Sequence, residues 1–243
     1  MSEWIQVGEL AAGFGGYELT PSAKLIGRRF AAHAADGGVF DFDFTDSSRH
    51  RVTELRPDIF FIDSLDEADP RRSRTIVLDL PTRAATRIAC TLPTKAETRR
   101  PLAERIDAGL DLTSVAITVD HFAVDRPFVG PAAHRETDDL IGKRVRYDYG
   151  PSDAYEHIYL NPRFFTWHCL AGSEAGLADT DRCHHYRIAD NLYLFIWREK
   201  IVPTLGIVMI DLDRRKTTGK LLGYENGNFG TVTNFIVGAR VTA

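Results

Sequence analysis

The sequence predicts an all-β protein built twice over, as two tandem antiparallel β-barrels from an internal duplication, with one or two short helices. Three observations carry this. Most apolar segments are short and alternate with polar residues, the period-two signature of half-buried strands. Turn formers separate them at short intervals. The segments of the first half recur in the second, in the same order and at similar spacing.

The alternation is clear in Val39-Phe40-Asp41-Phe42-Asp43-Phe44, Thr75-Ile76-Val77-Leu78-Asp79-Leu80 and Val115-Ala116-Ile117-Thr118-Val119. Ala35-Asp36-Gly37-Gly38, Arg56-Pro57-Asp58 and Asp211-Leu212-Asp213 supply turns. Helical candidates are few. Lys95 to Ala108 reads as one helix, with Thr94 as N-cap, Glu97 completing a capping box, and Pro101 just after the first turn. A weaker candidate runs from Trp4 to Ala12.

The repeat is specific. Lys24-Leu25-Ile26-Gly27-Arg28-Arg29-Phe30 matches Asp139-Leu140-Ile141-Gly142-Lys143-Arg144-Val145. Asp58-Ile59-Phe60-Phe61-Ile62 matches Asn191-Leu192-Tyr193-Leu194-Phe195, and Ile76-Val77-Leu78-Asp79-Leu80 matches Val208-Met209-Ile210-Asp211-Leu212. The second half carries extra residues around Asn161 to Asp181. Each half holds seven or eight strand candidates. Closing such a sheet removes its exposed edges, and eight strands leave room for one small ligand. Pro127 to Arg135 reads as the boundary, giving domains 1–130 and 131–243; the 243 residues suit two modest domains.

Bulk composition narrows the function classes. A net charge of -4 favours neither nucleic acid nor an anionic membrane surface as partner. The arginine clusters at Arg71-Arg72-Ser73-Arg74 and Thr98-Arg99-Arg100 lack interleaved aromatics and read as solvated loops. No apolar run approaches the roughly 20 residues of a membrane span, and no secretory leader is expected at Met1 to Gly8. Three cysteines, Cys90, Cys169 and Cys183, an odd count in a long chain, argue against a disulfide framework and make a reducing cytoplasm the expected location.

The second half is chemically richer. Phe164 to Cys169, Cys183 to Ile188 and Tyr193 to Glu199 read as three successive strands. A two-residue turn at Ala189-Asp190 or Asp190-Asn191 puts His184, Tyr186, Tyr193, Phe195, Trp197 and Glu199 on one face; a slip of one residue undoes this grouping. Trp167 or His168 joins from the preceding strand. An aromatic face with a few polar tips suits a flat, partly polar ligand. His184 and Glu199 are the acid and base candidates and Tyr186 an orienting donor, with Trp167, His168, Tyr193, Phe195 and Trp197 as walls. Alternation lets at most about three donors, such as His168, Cys183 and His185, converge on a metal, and no metal-ligand spacing is present, so neither metal nor cofactor is expected. Gly13-Phe14-Gly15-Gly16 follows no strand, and neither a phosphate-binding lysine loop nor a nucleophile elbow occurs. Gly223 to Gly230 holds an Asn-Gly hairpin signal that could border a barrel mouth through Glu225 and Asn228.

The run from Trp167 through Cys169, Gly172 and Gly176, then Tyr186-Arg187-Ile188 and Leu192 to Pro203, resembles the MoaF family, described as molybdenum cofactor biosynthesis protein F. The tail from Gly219-Lys220 to Arg240 resembles it too. The resemblance covers nearly the whole chain and implies a lipocalin-like, calycin-type architecture for both halves. It carries over no catalytic residue. The aromatic lining is similar in kind to that of phenolic acid decarboxylases. The expectation is therefore a small hydrophobic or aromatic metabolite bound in the second half, handled by a cofactor-independent lyase, isomerase or cyclase step or simply carried. The first half is expected to be structural, supporting the second barrel or a homodimer contact.

Overall fold

The two halves repeat one another in backbone as well as in sequence. The structure, a computed structural model, describes residues 4–242. In the first half, β1 (Arg29–Ala34), β2 (Val39–Asp43), β3 (Arg51–Arg56), β4 (Ile59–Leu65), β5 (Arg72–Asp79), β6 (Ala84–Thr91) and β7 (Ala116–Val124) form one antiparallel sheet in the order β2-β1-β7-β6-β5-β4-β3. The second half contains β8 (Arg135–Glu136), β9 (Arg144–Asp148), β10 (Ala154–Asn161), β11 (Phe164–Ala171), β12 (Ala178–Ala189), β13 (Leu192–Arg198), β14 (Leu205–Asp211), β15 (Lys216–Tyr224), β16 (Val232–Val237) and β17 (Arg240–Thr242). Its order is β11-β10-β9-β17-β15-β14-β13-β12, and β11 pairs β12 to close the ring.

The repeated sequences make the same turns. Leu25 and Leu140 are both buried. Gly27 (φ 78°) and Gly142 (φ 81°) both sit in the left-handed region, where the absence of Cβ removes the steric cost. The Gly27 amide donates to the Phe44 carbonyl and the Gly142 amide to the Tyr159 carbonyl. Asp58 and Asn191 occupy matching left-handed turn positions, as do Arg83 and Arg215.

The halves nonetheless finish differently. The second is a closed eight-stranded barrel, whereas the first is a curled seven-stranded sheet in which β2 and β3 remain unpaired with each other. The extra residues from Asn161 to Asp181 account for this. They form β11 and the start of β12, which bridge the gap between the counterparts of β2 and β3.

The curled sheet wraps the outside of the barrel. Leu55, Ile59, Phe61, Val77 and Ile88 pack against Leu194, Ile196, Ile207, Met209 and Leu222. Strands β13 and β14 are therefore buried on both faces, and every residue in them is buried. This explains why they read as continuous apolar runs rather than alternating ones. Polar groups join the halves as well: Lys220 Nζ reaches Asp63 Oδ1 at 2.5 Å, with both side chains fully buried, and Arg56 forks onto Asp211.

The Lys95–Ala108 segment forms two helices, not one: α2 (Lys95–Thr98) and α3 (Leu102–Asp107). The Thr94–Glu97 capping box forms. Pro101 then breaks the run, because it lacks an amide hydrogen and biases Arg100 away from helical backbone. Near the N-terminus a four-residue helix, Val7–Leu10, runs into a 3-10 turn at Ala11–Gly13. This segment packs on the second barrel: Val7, Leu10 and Phe14 belong to the barrel's core. Among the described residues no helix is long and apolar enough to cross a membrane.

Candidate functional site

Alternation along five barrel strands fills the interior with rings. Val145-x-Tyr147-x-Tyr149 points inward from β9 and its end, and Tyr155-x-His157-x-Tyr159 from β10. Phe165, Trp167 and Cys169 come from β11, Cys183 and His185 from β12, and Tyr193, Phe195 and Trp197 from β13. The rings are in mutual contact. His157 lies 4.6 Å from Tyr147, 5.0 Å from Phe165 and 5.6 Å from Trp197, centroid to centroid. Phe195 and Trp197 stack with 20° between planes.

Polar groups are threaded through this core. Tyr147 and Tyr159 share a hydroxyl–hydroxyl bond of 2.6 Å. Cys183 Sγ lies 3.2 Å from His185 Nε2. His157 Nδ1 and His185 Nδ1 are buried without a partner. Burial holds the His157 imidazole neutral, lowering its pKa to about 3, and lowers that of His185 to about 4. The same loss of hydration pushes the Cys183 thiol up to about 12, so it is not a thiolate near neutrality.

One end of the barrel is acidic. Glu199 Oε1 accepts the Trp197 indole N–H at 3.0 Å, Asp181 Oδ2 accepts the Trp167 indole N–H at 3.0 Å, and Glu174 Oε2 accepts the Tyr155 hydroxyl at 3.0 Å. All three carboxyls titrate above their ordinary values, chiefly because burial penalises the charged form. Asp181 adds like-charge repulsion at Glu199, whose pKa is raised furthest. Lys200 partly offsets the cluster, reaching Asp179 at 2.5 Å and Asp181 at 3.5 Å.

The N-terminal segment closes this end. Leu10 and Phe14 cover a cavity of about 30 Å³ lined by Tyr149, Tyr155, His157, Trp167, Glu174, Trp197 and Glu199. Trp4 packs edge-on against Trp167 at 5.7 Å. The loop of the β15–β16 hairpin borders the same plug, with Glu225 against Gly8.

The structure divides the residues expected to form the site. Glu199, Trp167, Tyr193, Phe195 and Trp197 line the barrel interior or its end. His184, Tyr186 and His168 do not: they lie on the outer face. Tyr186 packs between the halves, 5.2 Å from His121, and His184 is paired with Ile196 of that same outer face. His168 alternates with the inward Trp167 and Cys169. The physical reason is a bulge. The turn is the expected Asp190-Asn191 pair, with Ala189 opposite Leu192, but an irregularity between Arg187 and Ala189 slips the register by one. Cys183 and His185 therefore face Trp197 and Phe195. His168 is also kept apart from Cys183 and His185, so this potential metal-ligand trio does not converge.

Sequence reasoning missed His157, Glu174, Asp181 and the tyrosines Tyr147, Tyr149, Tyr155 and Tyr159. The tyrosines and His157 were signalled by the period-two pattern Tyr147-x-Tyr149 and Tyr155-x-His157-x-Tyr159.

An eight-stranded antiparallel barrel with an aromatic, acid-ended interior, backed by a degenerate copy of itself, is the class that fold and site define. Family models agree with this two-part organisation: residues 2–94 match the MoaF N-terminal domain and residues 134–243 the MoaF C-terminal domain. The chain is 42% identical over 254 aligned residues to "Protein MoaF" of Klebsiella aerogenes, covering 97% of this chain and 93% of that protein. The chain belongs to the MoaF family. A solved structure titled as a putative beta-lactamase from Burkholderia vietnamiensis covers 45% of this chain and 98% of its own, at 14% identity and a TM-score of 0.37, too low to bear on fold or activity.

Proposed function

We propose that the second barrel binds a small, partly aromatic or terpenoid-like metabolite at its acidic end. We further propose that it carries out cofactor-independent proton transfer of the lyase or isomerase kind. The observation that supports this is one cavity holding two groups whose titration is displaced in opposite directions: Glu199, raised well above the ordinary carboxylate range by burial, and His157, a neutral imidazole with an unpaired Nδ1. Titratable groups whose environments push their pKa values apart in one cleft are the arrangement that acid–base sites use. Glu199 would give its proton to the substrate, and the Trp197 indole N–H would hold the carboxylate that remains. His157 would accept a hydrogen bond from a substrate hydroxyl.

The space of about 30 Å³ admits a water molecule but not a metabolite. Binding therefore requires Leu10 and Phe14 to withdraw, which a short N-terminal segment can do at less cost than a barrel strand.

The test uses tryptophan fluorescence for binding and proton NMR in deuterated water for turnover, with a hydroxycinnamic acid and a cyclic enone as probes. Glu199→Gln should retain quenching while losing turnover or deuterium incorporation. Binding by the parent protein with no turnover leaves the carrier reading in place of the enzyme. If neither probe binds, even after Phe14→Ala opens the plug, the rings are structural core and the proposal fails.

A further inference from the structure

A second cavity, larger than the one in the barrel, lies outside it. It is an open groove of about 630 Å³ at the seam of the two halves, bounded by the 18–26 segment, β3 and β16. It sits where the first half fails to close. The 18–26 segment runs along the outer edge of β3, with the Ser22 amide donating to the Val52 carbonyl and Pro21 bridging to Thr53. Leu19, Leu25, Phe44, Val52, Phe235 and Ile236 make the wall apolar.

One cation serves this wall. Arg51 donates from one terminal nitrogen to the Asn234 carbonyl at 2.7 Å and has no carboxylate partner within ion-pair range among the described residues. That bond fixes the guanidinium beside the groove and leaves its other N–H groups open. Glu18, exposed on the opposite segment, is the other full charge in the lining.

Hydrogen bonding at this wall is incomplete in a second way. Asn234 Nδ2 donates to Asp63 Oδ2 at 2.7 Å, which leaves Oδ1 as a buried acceptor without a partner. His50 Nε2 contacts the Asp43 carbonyl at 3.1 Å, which leaves its Nδ1 in the same state. Native proteins leave few such atoms unpaired, and each calls for an explanation, a water carried with a ligand among them.

We infer that this seam groove is a second binding site, separate from the barrel, for an amphipathic monocarboxylate. The carboxylate pairs with the Arg51 guanidinium at the mouth, and the apolar body lies along Leu25, Phe44, Val52 and Ile236. Arginine suits this role because its planar fork matches a carboxylate and is lightly hydrated. The volume falls within the range of ordinary small-molecule sites, which the barrel cavity does not.

Isothermal titration of the full chain with decanoate and decanol, below micellar concentrations, tests this. Decanoate should bind one molecule per chain and more tightly than decanol. Arg51→Ala should weaken decanoate by roughly tenfold or more, the loss expected for a charged hydrogen-bonded contact, and leave decanol unchanged. Ala23→Trp, which fills the groove from its exposed rim, should abolish both. Phe14→Ala and Glu199→Gln should leave decanoate affinity as it was, because they act on the barrel. No decanoate binding, equal affinity in Arg51→Ala, full binding by a folded Ala23→Trp, or loss in Glu199→Gln would each overturn the inference.

Discussion

Glu199 and Trp197, two residues apart at the end of β13, both turn into the barrel, and the indole N–H of Trp197 meets the Glu199 carboxyl at 3.0 Å. A neutral donor is all that Glu199 receives from its closest partner. Asp181 and Glu174 stand near it, so burial and like charge together hold it protonated above the ordinary carboxylate range.

This sets a direction for stability against pH. The folded-state value of Glu199 lies above its unfolded value near 4.5. The folded protein therefore holds a proton that the unfolded chain releases, and stability falls as pH rises from about 4.5 toward the folded value. Glu199→Gln keeps the shape and removes the titration. Its melting temperature should exceed that of the parent at pH 8 by ~2–4 °C, the shift that about 1 kcal/mol produces in a chain of this size. The gap should shrink at pH 4.5, and an equal gap at both pH values would show that Glu199 is not the titrating group.

His157 acts in the opposite sense. Its folded value, about 3, lies below the ordinary 6.5. The unfolded chain takes up a proton that the buried ring refuses, so stability present above pH 6.5 is lost as pH falls toward 3. A single such group contributes a slope of up to ~1.4 kcal/mol per pH unit. His157→Phe, which retains the ring contacts with Tyr147, Phe165 and Trp197, should flatten urea-melting stability between pH 6 and 4 by about that amount. His185, lowered to about 4, and His50, His121 and His184, each lowered chiefly by burial, would supply the residual slope.

The legible part of this fold was whatever repeats locally. Leu25-Ile26-Gly27 and Leu140-Ile141-Gly142 encode a turn through a glycine that must take positive φ, and that chemistry is written in a few adjacent residues. The extra residues from Asn161 to Asp181 were visible as an insertion, but that they close a ring depends on the pairing of β11 with β12, a long-range property. The site was half legible for a related reason. Trp167, Tyr193, Phe195, Trp197 and Glu199 are inside, but a bulge between Arg187 and Ala189 turned His184 and Tyr186 out and His185 in. A bulge leaves no mark in the alternation beyond a one-residue slip. The equivalent bulge between Glu54 and Arg56 shows that it is part of the repeated unit.

The seam between the halves depends on a buried charge pair. Lys220 on β15 and Asp63 on β4 are fully enclosed, and Asn234 gives Asp63 a further hydrogen bond. Removing one partner strands the other charge without water. Lys220→Met should therefore destabilise by ~3–5 kcal/mol in denaturant titration, whereas Lys220→Met with Asp63→Leu should recover much of that loss. Additive losses in the double variant would mean that the two charges do not act as a pair.

Gly206 shows how closely the barrel is fitted around Trp197. The two residues are paired across β13 and β14, and a Cβ at Gly206 would stand 2.1 Å from the indole carbon Cζ2. No such contact is tolerable, and the ring cannot yield easily, because it stacks on Phe195 and is held by Glu199. Gly206→Ala must therefore tilt the indole or spread the two strands. Overpacking of this kind costs ~1–3 kcal/mol. Because the displaced ring is a tryptophan, the change should be visible directly as altered fluorescence and near-ultraviolet circular dichroism at a temperature where the variant is still folded. If Trp197 is pushed away from Glu199, the carboxyl loses its hydrogen-bond donor and its titration moves further upward. Gly206→Ala should then carry the loss of stability to higher pH, adding slope at the alkaline end, and this added slope should vanish when Glu199→Gln is combined with it. A slope that survives in the combined variant would place the effect at Asp181 or Glu174 instead.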